Sequence, residues 1–186
     1  MINQQSSQPA GQEPVPGPAP APFIIRPQLD ADIAAVVAFS LRAWQPVFES
    51  MARVLGPRLN RLVCPDWTEG QARAVEEVCR DEKMTVWVAE VDARPVGFVA
   101  VAFRDDPNSA EIEMIAVDPD QQNRGIGSAL LAHAFDWISA AGVQLVQLGT
   151  GGDPGHAPAR HTYEKAGFTP LPLVRYYKEL PAVHED

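Results

Sequence analysis

The stretch from Ala110 to Leu148 constrains the fold most, because strand-like residues stand on both sides of one long helical pattern. Residues 126–141 place apolar side chains at the 3.6-residue spacing of an α-helix, and Gly142 follows where a left-handed cap belongs. Strand-like residues lie at 110–117 and 144–148. A strand, a helix and a second strand in this order favour a right-handed crossover, so we predict two parallel strands with the helix on one face.

Three strand-like segments predict an antiparallel meander before that helix. They span 85–91, 96–103 and 110–117, and short polar linkers join them. We expect a further strand at 23–26 and a closing strand at 174–180. The predicted fold class is therefore a mixed-sheet α/β domain.

Helical spacing of apolar residues predicts four further helices, with capping side chains, glycine and proline at their ends. The first starts at its expected N-cap Asp30 and reaches Trp44. The second spans 47–55 and is ended by Gly56-Pro57. The third spans 68–80 with Thr68 as its cap, and a short fourth helix spans 159–166.

Residues 1–22 differ in composition from the rest of the chain. They hold six prolines among Gln, Ser, Ala and Gly, with almost no apolar bulk. Such a segment cannot offset the entropy of ordering, so we predict a disordered tail before a single domain over 23–182.

The charge balance excludes several classes of partner. Lys and Arg total 15 against 24 for Asp and Glu, and the net charge of −9 repels nucleic acid and anionic membranes. No apolar run approaches the roughly 18 residues of a membrane helix, and no signal-peptide pattern opens the sequence. Cys64 and Cys79 are too few for a disulfide framework, so we expect a cytoplasmic protein.

The turn that leads from the last meander strand into the long helix has the composition of an anion-binding site. Gly125 and Gly127 let a ligand approach the backbone, and the free N–H groups and dipole of the helix start favour a pyrophosphate. Arg124 adds a positive charge, and Gln122 can either hydrogen-bond a phosphate or brace the turn. The alternative is that both glycines serve only close helix-to-sheet packing. A dinucleotide fingerprint would need a third glycine at Leu130, and the Gly-Lys-Ser/Thr of a P-loop is missing.

Two ordered motifs resemble the GNAT superfamily of N-acetyltransferases. The first, similar to motif A, is Val117-x-Pro119-x-x-Gln122-x-x-Gly125-x-Gly127-x-x-Leu130-Leu131. The second, which resembles the C-terminal motif, is Ala159-x-x-x-Tyr163-Glu164-Lys165-x-Gly167-Phe168. The resemblance covers roughly 23–180 and implies a largely antiparallel sheet with a splayed parallel strand pair, flanked by helices.

The resemblance also implies acetyl-CoA as co-substrate, in a gap where the strand ending at Val117 splays from the strand ending at Leu148. The pantetheine arm is then expected to pair with backbone near Ile115 and Val117, and the Val117 N–H to meet the oxyanion. His156 stands where many members carry an asparagine that contacts this arm. The pyrophosphate is expected to pair with the N–H groups of six residues: Arg124, Gly125, Ile126, Gly127, Ser128 and Ala129. Gln122 and Asn123 are further expected cofactor-binding residues.

Amine acetylation needs a base for the amine and an acid for the departing thiolate. Glu111 and Glu113 share one strand face by alternation, and their repulsion favours a proton on one of them, which suits a base. The alternatives are that both are solvated carboxylates and that a water chain acts instead. The resemblance assigns thiolate protonation to Tyr163, with packing against the cofactor as the alternative. His156 is a second candidate base.

The glycine-rich stretch 149–155 predicts a mobile substrate loop. Asp153, His156 and His161 lie in or near it, but they are too few to predict a metal site there. We therefore expect no metal.

The sequence predicts transfer of an acetyl group from acetyl-CoA to a primary amine, of a small molecule rather than a protein, by direct attack. Cys64 precedes a proline in a loop and Cys79 lies on the apolar side of a helix, so neither is expected as a nucleophile. The alternatives are a non-catalytic acyl-CoA-binding module and a peptide N-terminal acetyltransferase. GNAT relatives often dimerise through late strands, so a homodimer is a further possibility.

Overall fold

A computed structural model of the chain describes residues 22–104 and 108–181. The tail predicted over 1–22 lies outside the described residues, except for Pro22. The described residues form one sheet with helices packed on both of its faces.

Within the described ranges, the sheet has five strands in the order β1-β2-β3-β4-β5. The strands are β1 Ile24–Pro27, β2 Met84–Val91, β3 Arg94–Phe103, β4 Ser109–Val117 and β5 Leu145–Gln147. Neighbours from β1 to β4 are antiparallel, whereas β4 and β5 are parallel. The predicted meander, the parallel pair and the mixed-sheet class are thus confirmed.

Helices cover the two faces of the sheet unequally. They are α1 Ile33–Val63, α2 Trp67–Arg80, α3 Ile126–Ala140 and α4 Ala157–Lys165. Helix α3 buries Leu130 and Ile138 on one face, whereas α1 and α2 bury Val36 and Val75 on the other. Gly142 follows α3 with a φ of 79°, as predicted for a left-handed cap. Among the described residues, no helix is long and apolar enough to cross a membrane.

Helix α1 replaces the first two predicted helices. It runs from Ile33 through Pro46 without a break until Gly56, whose φ of 72° and ψ of 167° are not helical, and it then resumes as far as Val63. Gly56-Pro57 therefore kinks the helix instead of ending it. Proline is tolerated in the first turn of a helix, so Pro57 can start the second piece.

Both predicted caps near these helices were wrong by one or two residues. Helix α2 starts one residue earlier than expected, so its N-cap is Asp66, whose carboxylate accepts from the N–H of Glu69 at 3.1 Å. Thr68 lies inside the helix and donates its hydroxyl to Asp66 at 2.7 Å. Asp30 opens a 3-10 turn before α1, and it is Asp32 whose carboxylate accepts a backbone N–H there, at 2.8 Å.

The closing strand predicted over 174–180 is absent from the described residues. The segment has no regular secondary structure and lies on the surface, with Val174 and Tyr176 exposed, and Glu179 pairs with Arg58 on α1 at 2.7 Å. Alternating apolar residues form a strand only beside a partner, and β5 offers an edge of three residues.

Candidate active site

A β-bulge redirects β4 in its middle. Ala100 of β3 pairs with Met114, whereas the next residue, Val101, pairs with Ile112, which leaves Glu113 as the extra residue. A bulge of this kind bends the strand and increases its twist. Residues after the bulge therefore face the opposite side of the sheet from the one that regular alternation would give them.

This change of face shows in the packing of β4 against the helices. Before the bulge, Ala110 and Ile112 pack toward α3; after it, Ile115 and Val117 do so, while Met114 packs toward α1. A regular two-residue alternation along β4 would have placed Ile115 and Val117 on the opposite face. Both predicted pantetheine partners therefore owe their position to Glu113.

The parallel strands part after a short contact, as the family resemblance implies. β4 and β5 pair only from Ser109 to Glu111. Beyond that point a cavity of about 880 Å³ opens between the strands. Its walls are 112–117 on β4, the loop after β5, the first turn of α3 and parts of α1 and α4.

Most of the predicted cofactor-binding residues line this cavity. They are Ile115, Val117, Gln122, Asn123, Gly125, Ile126, Gly127, Ser128, His156 and Tyr163. Arg124 and Ala129 are not among the lining residues. Arg124 donates to the side-chain oxygen of Gln121 within the turn. The N–H of Ala129 donates to the Gly125 oxygen at 2.9 Å, so the free helix-start donors end at Ser128.

The glycines of the turn are not there for packing. Gly125 has a φ of 82°, a left-handed conformation that favours glycine, and a Cβ built on it would meet nothing within 4 Å. A Cβ at Gly127 would meet only Val117 Cγ2, at 3.7 Å. The close helix-to-sheet contact is at Gly97, which the sequence did not indicate: a Cβ there would lie 3.1 Å from Ile126 Cγ2.

Side chains hold the turn in place. The Gln122 side-chain amide donates to the Val117 main-chain oxygen at 3.1 Å. Of the two roles predicted for Gln122, this contact corresponds to bracing the turn. Arg42 on α1 reaches across to the same turn and pairs with Asp118 at 2.5 Å and Asp120 at 2.8 Å. These contacts fix the helix start against the end of β4.

Tyr163 lies on α4 at the cavity wall and packs edge-on against Phe168, with ring centroids 6.2 Å apart. Burial raises the pKa of the Tyr163 phenol above its ordinary value. The phenol therefore keeps its proton at neutral pH and can donate it.

The two predicted base candidates share a cation that the sequence did not reveal. Arg104, directly after β3, donates to Glu111 through Nε at 2.7 Å and to Glu113 through Nη2 at 2.5 Å. The hydrogen bond to Glu111 is the main cause that raises the pKa of Arg104. Glu113 lines the cavity, whereas Glu111 is not among the lining residues and accepts from Gln147 at 3.3 Å. The expected repulsion between the carboxylates is thus offset by a guanidinium.

The glycine-rich loop after β5 is anchored, although the sequence predicted a mobile loop. Arg160 donates to the main-chain oxygens of Gly151 at 2.6 Å and Asp153 at 2.9 Å. The N–H of Gly155 donates to Ser50 Oγ at 2.9 Å. A Cβ on Gly155 would lie 2.6 Å from the Ser50 Cβ, so the glycine permits close contact with α1.

Two side chains of this loop pair with each other beside the cavity. Nδ1 of His156 hydrogen-bonds Oδ1 of Asp153, and the two side chains are only 18% and 13% exposed. Burial opposes the charge of Asp153, but hydrogen bonds from Ser50 and His156 outweigh it and lower the pKa of the carboxyl. Residues 22–104 and 108–181 contain no group of three His, Cys, Asp or Glu that could hold a metal.

The two cysteines lie outside the cavity lining. Cys79 is buried in the core between α2 and the sheet, and burial raises the pKa of its thiol to about 11. Burial also raises the pKa of the partly buried Cys64 thiol. Neither thiol is a ready nucleophile at neutral pH.

The sheet order, the parted parallel strands and the helix start at the gap define the class of acyl-CoA N-acyltransferase folds. Residues 45–168 match the sequence profile of the Acetyltransferase (GNAT) family. The match spans more than half of the chain, and the chain belongs to this family.

Named relatives and a solved structure agree with this assignment. A mycothiol acetyltransferase from Propionibacterium freudenreichii subsp. shermanii is 30% identical over 164 residues, which are 84% of this chain and 46% of the relative. An L-2,4-diaminobutyric acid acetyltransferase from Nocardia farcinica is 39% identical over 70 residues, 37% of this chain and 36% of the relative. The chain thus spans less than half the length of either relative. The PaiA N-acetyltransferase of Thermoplasma acidophilum, solved with coenzyme A, shares the fold with a TM-score of 0.60 at 17% identity, over 80% of this chain and 90% of that one.

Proposed function

We propose that this protein transfers an acetyl group from acetyl-CoA to the primary amine of a small molecule. The observation that carries the proposal is the cavity between the parted strands, because it joins a helix start suited to a pyrophosphate with a partly buried phenol suited to proton donation. The solved PaiA relative is a coenzyme A complex, which supports the same co-substrate here.

The residues of the cavity fit acetyl-CoA. The N–H groups from Gly125 to Ser128 have no earlier helical turn to donate to, and the positive end of the α3 dipole lies beside them. The edge of β4 from Ile112 to Val117 is unpaired by β5, so its backbone can pair with the pantetheine amides. Oriented this way, the thioester would lie in the cavity between β4 and α4.

The chemistry needs one bond made and one broken. The amine nitrogen attacks the thioester carbonyl carbon, a C–N bond forms, and the C–S bond of the resulting tetrahedral species breaks. Tyr163 donates its phenolic proton to the departing sulfur, and we assign the Val117 N–H to the oxyanion, as the family resemblance implies. Of the two glutamates predicted as bases, Glu113 lines the cavity, but Arg104 already occupies its carboxylate.

Direct attack is favoured over a covalent acyl-enzyme. The Cys79 thiol is buried with a pKa of about 11, and neither cysteine lines the cavity. The two free cysteines also support a cytoplasmic location.

A small-molecule acceptor is favoured by the relatives, which are named for mycothiol and L-2,4-diaminobutyric acid.

We keep a homodimer as a proposal as well, supported by exposed apolar side chains such as Leu171, Leu173 and Tyr176 in the C-terminal segment. Sedimentation of the full chain tests it.

Thiol release tests the enzymatic function. The full chain is mixed with acetyl-CoA and a panel of diamines, amino acids and amino sugars, and the free CoA thiol is followed with a chromogenic disulfide. We expect amine-dependent release for at least one acceptor and an acetylated amine by mass spectrometry. Acetyl-CoA binding without release for any acceptor, short peptides included, would instead support the non-catalytic module.

A further inference from the structure

We propose that His156, held by Asp153, is the general base that takes the proton from the acceptor amine, in place of the glutamates on β4. This inference rests on the proposed acetyl transfer. It gives the anchored loop after β5 a role in catalysis that neither its glycines nor its motif match assigns.

The geometry of the pair selects the tautomer of a neutral imidazole. Nδ1 of His156 faces Oδ1 of Asp153, so a neutral ring places its proton on Nδ1 and its lone pair on Nε2. Within residues 22–104 and 108–181, Nε2 has no hydrogen-bond partner. His156 lines the cavity, and the proposal places this nitrogen toward an acceptor that enters there.

The loop is built around this pair. The second oxygen of Asp153, Oδ2, accepts from the N–H of Gly155 at 3.0 Å, and Arg160 holds the Asp153 main chain at 2.9 Å. A Cβ on Gly151 would lie 2.4 Å from His156 Nδ1 and 2.7 Å from Asp153 Oδ1. The backbone at Gly151 therefore lies directly against the pair, and a side chain there would force His156 and Asp153 to shift. An oriented carboxylate behind an imidazole both selects the tautomer and stabilises the imidazolium that forms.

The competing carboxylates are less free to act. Glu111 and Glu113 both accept from Arg104, so proton uptake by either would weaken an existing ion pair. Proton uptake by His156 would have the opposite effect, because the Asp153 carboxylate would then pair with a charged imidazolium. The charged and titratable groups around the imidazole and cavity are Asp153, Arg160, Glu113, Arg42, His161, Tyr163 and Lys165.

The proton balance is complete with these residues. An acceptor ammonium gives one proton to Nε2 of His156, and its freed lone pair forms the C–N bond. The C–S bond breaks, and the sulfur takes the phenolic proton of Tyr163. The second proton lost by the new amide nitrogen returns to the Tyr163 oxygen, and His156 releases its proton to water.

The test compares His156→Asn with wild-type full-length protein by thiol release across pH. The asparagine can still reach Asp153 but carries no basic nitrogen. We expect kcat/KM for the amine to fall about 100-fold at neutral pH, the ascending limb of the pH profile to disappear, and the Kd for acetyl-CoA to change less than threefold. Asp153→Asn should lower kcat but keep an ascending limb, because Asp153 acts through His156.

Two further variants make the outcome specific. His156→Ala should regain rate when imidazole is added, which a purely structural role would not allow. His133→Asn is the matched control, because His133 packs on Trp87 outside the cavity and should leave kcat/KM within twofold. If His156→Asn keeps the ascending limb of the pH profile, or if Glu113→Gln loses that limb instead, the base assignment is overturned. The proposed acetyl transfer would be unaffected by either result. A wild-type protein that transfers nothing would overturn both proposals.

Discussion

The side-chain amide of Gln122 donates to the main-chain oxygen of Val117 at 3.1 Å, and this bond ties the end of β4 to the turn before α3. Arg42 ties the same turn to α1 through Asp118 and Asp120. The turn is thus held from two sides before any ligand binds. A preformed turn presents its N–H groups without a further ordering cost.

Gln122→Ala should therefore weaken acetyl-CoA binding. Loss of one hydrogen bond of about 1 kcal/mol predicts a rise in Kd of about fivefold, measured by isothermal titration. Gln45→Ala is a fitting control, because the exposed Gln45 side chain donates to Glu49 on the same helix, away from the turn. Equal Kd values for both variants would show that the brace does not shape the site.

Tyr163→Phe should separate binding from turnover. The ring keeps its contact with Phe168, but the phenolic proton donor is lost, so we expect kcat to fall about 100-fold with the acetyl-CoA Kd within threefold. Steady-state thiol release and titration measure the two quantities. Tyr177→Phe, at an exposed position of the C-terminal segment, should leave both unchanged. An unimpaired kcat in Tyr163→Phe would contradict the acid role.

Replacing both thiols should leave catalysis intact. We expect the Cys64→Ala/Cys79→Ala variant to keep kcat within threefold, since neither cysteine lines the cavity. Initial rates with both substrates varied should give intersecting lines, the pattern of direct transfer. Parallel lines, or an acetylated protein detected by mass spectrometry, would require a covalent intermediate.

The ion pair of Arg26 and Asp32 should make stability depend on pH. The Arg26 guanidinium donates to both carboxylate oxygens of the buried Asp32, at 2.7 and 3.0 Å. These hydrogen bonds are the main cause that lowers the pKa of the Asp32 carboxyl. A lowered pKa contributes stability above the unfolded value of about 3.9, and the contribution is lost as pH falls through the folded value. We expect Asp32→Asn to lower the free energy of unfolding by about 2 kcal/mol at pH 7.

Urea denaturation at several pH values tests the Asp32 prediction. The difference in the free energy of unfolding between wild type and Asp32→Asn should decrease as the pH falls below about 4. Asp30→Asn, two residues away and exposed, should unfold like wild type at every pH. A difference that stays constant with pH would mean that the variant acts through packing instead.

The sequence could predict those parts of the fold that depend on local periodicity. The crossover through α3, the meander and the cap at Gly142 each follow from patterns within about 40 residues. The strand over 174–180 was predicted wrongly because a strand also needs a partner edge, which no local pattern reveals.

The candidate site was predictable to the same extent. The turn from Gln122 to Ser128 carries its own chemistry in order along the chain, so its place on the cavity could be expected. The bulge at Glu113 depends on register with β3. The contacts that Arg104 and Arg160 make depend on how the chain folds back, so neither residue stood out.

The most direct measurement titrates acetyl-CoA into wild type, Gly127→Ala and Gly127→Glu. Gly127 sits in the first turn of α3, where a Cβ would meet only one ordinary contact at 3.7 Å, so both variants should fold. We expect wild type and Gly127→Ala to bind alike, and Gly127→Glu to lose at least tenfold in affinity, about 1.4 kcal/mol, because its carboxylate repels the pyrophosphate. Equal binding by all three proteins, or none by wild type, would contradict the proposed acetyl-CoA site.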